Sequence, residues 1–306
     1  MIRGLGLIGL AGVQLLFTVP SVAATAPAGS ASHSVRLASA HRHSKPVSDE
    51  PSLRSSSALV VDESDGAILY SKHADVAAPI ASITKLMTAL VIADAKLPLD
   101  EPIEVTKDDR SLRKGAFSRL AFGTTLTRGD LLHLALMASE NRAAHALGRT
   151  YPGGLEAFVR AMNAKASALG MTSAHFVDPV GLSSDNMASP EDLVKLVSAA
   201  SRDPSIREFS TDPSYSVVIG RHRVEFRNTN SLVRNSQWDI VVQKTGYISE
   251  AGKCLVMQAV IDDRNVVMVL LNSYGRYTRV ADARRIRKWM EAKVSERTAH
   301  SVASKV

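Results

Sequence analysis

Cysteine is almost absent from this 306-residue chain, and its scarcity excludes one class of protein. The single thiol, Cys254, has no partner for an internal disulfide, so a disulfide-stabilised fold is excluded. It lies in the apolar run 253–261, which favours a buried, unreactive thiol over a nucleophile. The formal net charge of +7 is modest, and no basic patch is interleaved with aromatic residues. We therefore expect no nucleic acid among the ligands, although the charge suits an anionic polymer such as cell wall.

Apolar runs long enough to cross a bilayer are also lacking. Arg3 is followed by a short apolar stretch at 5–19 and by the small residues Val22-Ala23-Ala24. This pattern predicts a signal peptide over residues 1–24, cleaved near Thr25, with an uncleaved anchor as the alternative. The mature protein is then expected to be periplasmic or secreted, with no stable membrane anchor.

Hydrophobic periodicity is absent from residues 25–57, where Ser, Ala, Pro, His and Arg are frequent. That composition predicts a disordered linker. We expect its histidines at positions 33, 41 and 43 to be solvated rather than to bind metal, and no metal or other cofactor is predicted. One folded domain is expected over 58–294, followed by a frayed tail at 295–306.

The domain begins and ends with patterns typical of strands, and its middle is typical of helices. Strands are predicted at 58–62, 67–70, 216–219, 223–226, 239–245, 253–261 and 266–272. Helices are predicted from residue 82 and at 128–138, 142–147, 155–169, 190–200 and 280–294. This order predicts an α+β fold (an α/β sandwich), in which both ends of the chain build an antiparallel sheet and the middle forms a helical subdomain.

Ser82 and Lys85 lie three residues apart in a stretch that predicts a helix with almost no solvated face. On a helix they share one face and contact each other. The helix N-terminus favours negative charge on the hydroxyl, and burial lowers the pKa of a lysine, so that a neutral amine becomes accessible. The pair is predicted to be a nucleophile beside its base. A second Ser-x-x-Lys tetrad, from Ser111 to Lys114, lies among charged residues and is interpreted as a surface loop.

The triplet Lys244-Thr245-Gly246 ends an apolar strand. A strand edge beside the nucleophile can pair with an extended peptide, and glycine permits close approach of a ligand. We interpret Lys244 as a fixed positive charge for a substrate carboxylate. The alternative is an ordinary strand end with a solvated lysine.

The triplet Ser139-Glu140-Asn141 falls where one predicted apolar helix ends and the next begins. A hydroxyl and an amide held at such a corner are suited to proton relay and to hydrogen bonding with a substrate amide. A second triplet of this form, Ser184-Asp185-Asn186, precedes a capped helix and is interpreted as an ordered loop. We favour Ser139 because of its position between two helices.

Taken in order, these three motifs resemble those of the penicillin-recognising serine enzymes. The chain looks most similar to the low-molecular-mass D,D-peptidases that have carboxypeptidase or endopeptidase activity. The stretches 136–144 and 243–252 resemble the D-alanyl-D-alanine endopeptidase branch, and the resemblance covers 58–294. It implies a β-lactamase/D,D-peptidase-like fold, with an antiparallel five-stranded sheet flanked by helices and an inserted all-helical subdomain.

The resemblance also implies roles in catalysis. Ser82 is the expected acylated nucleophile, and Lys85 is expected to take its proton. Ser139 is expected to pass a proton to the leaving amine. The backbone N–H groups of Ser82 and Tyr247 are expected to form the oxyanion hole.

Roles in substrate binding are implied for four further residues. Asn141 is expected to hold the substrate and Lys244 to bind its carboxylate, with Thr245 and Gly246 beside that carboxylate. The implied partners are the peptide stems of peptidoglycan. β-Lactam antibiotics are expected to act as covalent inhibitors that acylate Ser82.

Three enzymatic activities and one non-enzymatic role are compatible with these residues. An endopeptidase acting on peptide cross-links is favoured, because the chain ends soon after Val294 whereas anchored carboxypeptidase relatives usually carry an extra β-rich domain and a C-terminal amphipathic helix. A D,D-carboxypeptidase that removes terminal D-alanine is the alternative. A serine β-lactamase is a further alternative, but its class A members need a glutamate that activates the deacylating water, and the sequence shows no convincing counterpart, although Glu140 lies within a motif. An inactive cell-wall-binding scaffold is the alternative outside the enzymes.

Overall fold

A computed structural model describes residues 50–110 and 117–303 of the chain. The predicted signal peptide, the linker up to residue 49 and the second Ser-x-x-Lys tetrad at Ser111 lie outside these residues. Within them, no helix combines the length and the apolar character needed to cross a bilayer.

Strands occur at both ends of the domain and, as short pairs, in its middle. In chain order they are β1 (Ser55–Asp62), β2 (Ile68–Lys72), β3 (Ala78–Pro79), β4 (Pro102–Glu104), β5 (Thr125–Thr127), β6 (Met187–Ala188), β7 (Ser214–Ile219), β8 (His222–Arg227), β9 (Asp239–Ile248), β10 (Gly252–Ile261) and β11 (Arg264–Ser273). The helices are α1 (Thr84–Asp94), α2 (Arg128–Met137), α3 (Asn141–Arg149), α4 (Gly154–Ala168), α5 (Pro190–Ala200), α6 (Pro204–Thr211) and α7 (Thr278–Ala303).

The central sheet has five antiparallel strands in the order β2-β1-β11-β10-β9. The prediction of a five-stranded antiparallel sheet built from both ends of the chain is therefore confirmed. Successive side chains point to opposite faces, so Val256 packs in the core shared with the helical region, whereas Leu255 and Met257 pack with α7. β9, which carries the Lys-Thr-Gly triplet, lies at the edge of the sheet.

The inserted region is mainly helical, with α1 at its centre. Every residue from Thr84 to Ile92 is buried, which confirms the prediction of a helix with almost no solvated face. The region also contains the two-stranded pairs β3–β6 and β4–β5 and the hairpin β7–β8, the last of which was predicted. Helix α6 was not predicted, although Asp203 caps it by accepting the Ile206 N–H and Pro204 occupies its first position.

Two domain boundaries differ from those predicted. β1 begins at Ser55, so the last three residues of the predicted linker 25–57 belong to the sheet. The backbone N–H and Oγ of Ser55 both donate to the carboxylate of Asp282, at 2.7 Å each, which holds this polar segment in place. At the other end, α7 continues to Ala303, so residues 295–303 are helical rather than a frayed tail. Ser295 Oγ donates to the Glu291 carbonyl at 2.9 Å and stays on the helix surface.

Candidate active site

Ser82 lies in the 3₁₀ turn Ala81–Ile83 that leads into α1, two residues before the α-helix begins at Thr84. Ala81 has a φ of 49°, a strained left-handed conformation for a residue with a side chain. Thr84 Oγ1 donates to the Ala81 carbonyl at 2.8 Å and stabilises the turn. Ser82 is thereby held at the N-terminal end of a buried helix with 9% of its surface exposed.

Lys85 is completely buried, and its Nζ has three oxygen partners. They are Ser82 Oγ at 2.9 Å, Asn141 Oδ1 at 3.0 Å and the Val180 carbonyl at 2.7 Å. Burial lowers the pKa of Lys85 to about 7, although the nearby carboxylates of Asp178 and Glu140 oppose that shift. A neutral amine has two N–H donors and one lone pair, so it can donate to two of these oxygens and accept from the Ser82 hydroxyl.

Sequence reasoning missed the loop that supplies the Val180 carbonyl. Asp178 folds this loop, because its Oδ1 accepts the N–H groups of Val180 and Gly181 at 2.6 Å each. Gly181 has a φ of +82°, and a Cβ there would lie 1.9 Å from the Ala81 carbonyl oxygen, so the loop packs directly against the nucleophile turn. The Asp-Pro-Val-Gly sequence at 178–181 is a turn signal, but it does not reveal which element the turn contacts.

The second Ser-x-Asn triplet, Ser184-Asp185-Asn186, supports the same loop. Asn186 is fully buried, and its Oδ1 accepts the Val177 N–H at 2.7 Å. Its backbone carbonyl accepts the Ile80 N–H at 3.0 Å, two residues before Ser82. The prediction that this triplet is an ordered loop is confirmed.

The first Ser-x-Asn triplet occupies the corner between α2 and α3, as predicted. Asn141 begins α3 and contacts the Lys85 amine. Ser139 has a φ of 59° and lines a cleft of about 420 Å³ together with Phe117, Arg119 and Phe226. The corner therefore faces both the buried amine and an open cleft.

Glu140 has a different environment from its two neighbours in the triplet. Its Oε2 accepts the Ser118 hydroxyl and its Oε1 accepts the Arg119 N–H, both at 2.6 Å. Both carboxylate oxygens thus hold the 118–119 segment against the α2–α3 corner. The residue considered for activating a deacylating water has a structural role here.

Lys244 is completely buried and its Nζ donates to the Thr245 carbonyl at 3.0 Å. Burial, and then the positive charges of Lys85 and Arg279, lower the pKa of Lys244 well below its ordinary value. The role of Lys244 as the positive charge for a substrate carboxylate stays a prediction, and these surroundings disfavour the charged form. A carboxylate arriving beside it would favour the charged form.

The rest of the triplet adjoins the nucleophile turn. A Cβ at Gly246 would lie 2.9 Å from the Ile80 carbonyl oxygen and 3.3 Å from the Ser82 nitrogen, so glycine allows β9 to pack against this turn. Thr245 Oγ1 lies 2.6 Å from Thr229 Oγ1. Tyr247 follows on the same strand with its side chain exposed. The structure therefore brings the Ser-x-x-Lys motif at Ser82 and the Lys-Thr-Gly triplet together.

Sequence reasoning also missed Arg279. Its Nη1 donates to the Gly246 carbonyl at 2.9 Å, from the first turn of α7. Burial lowers the pKa of this guanidinium, which adds a second partly desolvated cation to the strand end. Together, a hydroxyl beside an amine, a buried lysine and a partly buried arginine can carry out acyl transfer on a substrate with a carboxylate.

Known proteins are similar in sequence to this chain. A family model described as D-alanyl-D-alanine carboxypeptidase matches residues 44–275. The D-alanyl-D-alanine endopeptidase of Pseudomonas aeruginosa is 49% identical over 242 residues, 78% of each chain. That of Escherichia coli is 44% identical over 247 residues, 80% of each chain. The D-alanyl-D-alanine carboxypeptidase of Streptomyces sp. K15 is 30% identical over 254 residues, 78% of this chain and 87% of that protein.

Solved structures have the same fold. The Streptomyces K15 DD-transpeptidase aligns with a TM-score of 0.72 and 27% identity, over 78% of this chain and 98% of that chain. The D-alanyl-D-alanine carboxypeptidase of Mycobacterium tuberculosis aligns with a TM-score of 0.71 and 27% identity, over 82% and 95% of the two chains. The resemblance drawn from the three motifs is therefore confirmed: the chain is a serine hydrolase that belongs to the D-alanyl-D-alanine carboxypeptidase family.

Proposed function

We propose that this protein is a D-alanyl-D-alanine endopeptidase that hydrolyses the peptide cross-links of peptidoglycan through an acyl-enzyme on Ser82. The observation that carries the proposal is the 2.9 Å contact between Lys85 Nζ and Ser82 Oγ in a buried site. With a pKa of about 7, Lys85 is neutral in a large fraction of molecules near neutral pH. A neutral amine at this distance is a general base for the hydroxyl.

In the proposed first step, Lys85 accepts the proton of Ser82 while Oγ attacks the carbonyl carbon of the scissile amide. The backbone N–H groups of Ser82 and Tyr247 stabilise the oxyanion, and loss of one such donor typically costs on the order of a hundredfold or more in rate. The C–N bond then breaks, and the leaving amine receives its proton through Ser139. Water hydrolyses the resulting ester, which frees the new carboxylate and restores the Ser82 hydroxyl.

The substrate is proposed to lie between β9 and the α2–α3 corner. β9 is an edge strand and offers backbone groups to an extended peptide. Asn141 is proposed to bind a substrate amide, and Lys244 its carboxylate. Thr245 and Gly246 lie beside that carboxylate, where glycine permits close approach.

The endopeptidase activity is favoured over carboxypeptidase activity by relatedness. The two more similar relatives are named endopeptidases, whereas the relative named a carboxypeptidase is less identical. A D,D-carboxypeptidase that removes terminal D-alanine is the second candidate, because the matching family model is described in those terms. Peptidoglycan lies outside the cytoplasm, so we propose a periplasmic or secreted enzyme of cell-wall biogenesis and cell shape, in keeping with the predicted signal peptide.

A penicillin serves as the test because β-lactams are expected to acylate the same hydroxyl. Purified protein should take one fluorescent penicillin, and intact-mass and peptide mapping should locate the adduct on Ser82. Ser82→Ala should abolish labelling and cleavage of a cross-linked peptide while the far-UV spectrum stays unchanged. Absence of label in the wild type, or full labelling of Ser82→Ala, would refute the proposal.

A further inference from the structure

Three tyrosine side chains are exposed at the end of the sheet that carries the Lys-Thr-Gly triplet. Tyr247, Tyr274 and Tyr277 are 59%, 93% and 68% exposed. The other three tyrosines of the chain are partly buried. Single exposed apolar side chains need no explanation, whereas a cluster of exposed aromatic side chains is typical of a binding surface.

Strand register brings these residues together. Tyr247 on β9 pairs with Lys253 on β10, which pairs with Ser273 on β11. Tyr274 follows Ser273 directly, and Tyr277 ends the turn before α7. Because neighbouring strands are about 4.8 Å apart, the backbone where this turn begins lies roughly 10 Å from that of Tyr247.

Two cations accompany the aromatic rings. Lys253 Nζ lies 4.4 Å from the centroid of the Tyr247 ring, and the Arg276 guanidinium lies 5.4 Å from that of Tyr277. We refer to Tyr247, Lys253, Tyr274, Arg276 and Tyr277 as the tyrosine platform. Aromatic faces beside cations suit a peptide that carries both apolar groups and carboxylates.

The tyrosine platform adjoins the end of the proposed groove that binds the substrate carboxylate. Arg279 lies two residues after Tyr277, and its Nη1 donates to the Gly246 carbonyl next to Tyr247. Its charge also reaches Lys244, the proposed carboxylate ligand. A carboxypeptidase substrate ends at that carboxylate, whereas a cross-linked peptide continues past it.

We propose that the tyrosine platform binds the leaving half of a cross-linked peptide, which is the carboxylate-bearing stem released when the acyl-enzyme forms. This inference rests on the D,D-peptidase function proposed above and deepens it. Contacts beyond the scissile bond would favour cross-links over free terminal D-alanine, because only the cross-linked substrate reaches them. The side chains of these residues are assigned to substrate recognition, whereas the backbone N–H of Tyr247 keeps its proposed role in the oxyanion hole.

The test compares two substrates that share the same acyl half, a cross-linked peptide dimer and a free pentapeptide. The double variant Tyr274→Ala/Tyr277→Ala should raise KM for the dimer about tenfold, as expected when aromatic anchors of an interface are truncated, with kcat little changed. Its kinetics on the pentapeptide and its rate of penicillin labelling should match the wild type. Adding Arg276→Glu to the double variant should weaken dimer binding further, because it reverses the charge beside Tyr277.

Two matched variants serve as controls. Tyr274→Phe/Tyr277→Phe keeps both rings and should restore most of the affinity for the dimer. Ile68→Ala removes an exposed apolar side chain from β2, at the opposite edge of the sheet. It should leave KM and kcat unchanged for both substrates. Circular dichroism and the melting temperature verify that each variant is folded.

Binding to acylation-deficient protein separates the two proposals. In a Ser82→Ala background, the Kd for the dimer should rise about tenfold on adding the platform double variant, in line with the expected effect on KM. An unchanged Kd and KM for the dimer, or an equal loss of kcat/KM on both substrates, would overturn the platform proposal. Neither result would contradict the acyl-enzyme proposal. Failure of the acyl-enzyme proposal is recognised independently, by absent or misplaced penicillin labelling.

Discussion

The nucleophile turn and the Lys-Thr-Gly strand end each contain a completely buried lysine, and the two lysines have opposite surroundings. Lys85 has three oxygen partners, and the carboxylates of Asp178 and Glu140 partly offset the lowering of its pKa by burial. Lys244 has one carbonyl partner, and the cations around it lower its pKa further. Burial acts in the same direction at both positions, so neighbouring charges create the difference.

This difference indicates a division of roles. An amine whose pKa is about 7 gains and loses a proton readily at neutral pH, as a general base must. An amine among other cations lacks a counter-charge until an anion binds. Lys85 is therefore suited to proton transfer and Lys244 to carboxylate recognition, and three predictions test that contrast.

The largest effect is expected for Lys85→Ala. Removing the base should slow acylation by penicillin about a thousandfold or more. Lys85→Arg should be equally inactive, because guanidinium stays protonated. Lys96→Ala, at an exposed lysine just after α1, should label like the wild type. Stopped-flow labelling gives the rates, and a melting curve verifies folding. Normal labelling of Lys85→Ala, or its failure to fold, would contradict this role.

A smaller effect is expected for Lys244→Ala, and it should depend on the ligand. Loss of a buried charge partner should lower kcat/KM for carboxylate-bearing substrates about a hundredfold. Acylation by a penicillin methyl ester, which lacks the carboxylate, should fall much less. The measurement is the ratio of acylation rates for the free acid and the ester. Equal losses for both ligands would assign Lys244 to catalysis or structure instead.

The smallest effect concerns pH. Because neutral Lys85 is the active form and its pKa is about 7, acylation should rise about tenfold per pH unit below 7 and level off above it. Asp178→Asn removes the carboxylate that raises this pKa most, so the midpoint should move to lower pH. At pH 7 the acylation rate of Asp178→Asn should exceed that of the wild type by at most about twofold, since roughly half of Lys85 is already neutral. A midpoint that moves to higher pH would show that the Asp178 carboxylate does not raise the pKa of Lys85.

The sequence predicted those features that depend on local spacing. Ser82 and Lys85 contact each other because residues three apart share a helix face, and the antiparallel sheet follows from strands of alternating or continuous apolar residues. The corner at Ser139 could be predicted because it falls between two recognisable helices. These inferences required no knowledge of distant contacts.

Long-range contacts could not be predicted in the same way. The Val180 carbonyl is 95 residues from Lys85, and Arg279 is 33 residues from Gly246. The lowered pKa of Lys244 arises from its burial and then from cations on two other elements. Ser55 belongs to β1 through its pairing with Ser273 and is held by Asp282, whereas its own polar neighbourhood gave no strand signal. In each case the decisive partner belongs to another element.

The first two turns of α7 contact both the first strand, through Asp282, and the active-site strand, through Arg279. β1 pairs with β11 between residues as far apart as Ser55 and Ser273, so the sheet closes a loop that spans most of the folded domain. Such closure is slow compared with the formation of local hairpins. While the chain is being synthesised, the strand end beside Ser82 lacks its guanidinium support until Arg279 has emerged. The contact between α7 and the active-site strand therefore forms only after the start of α7 has been translated.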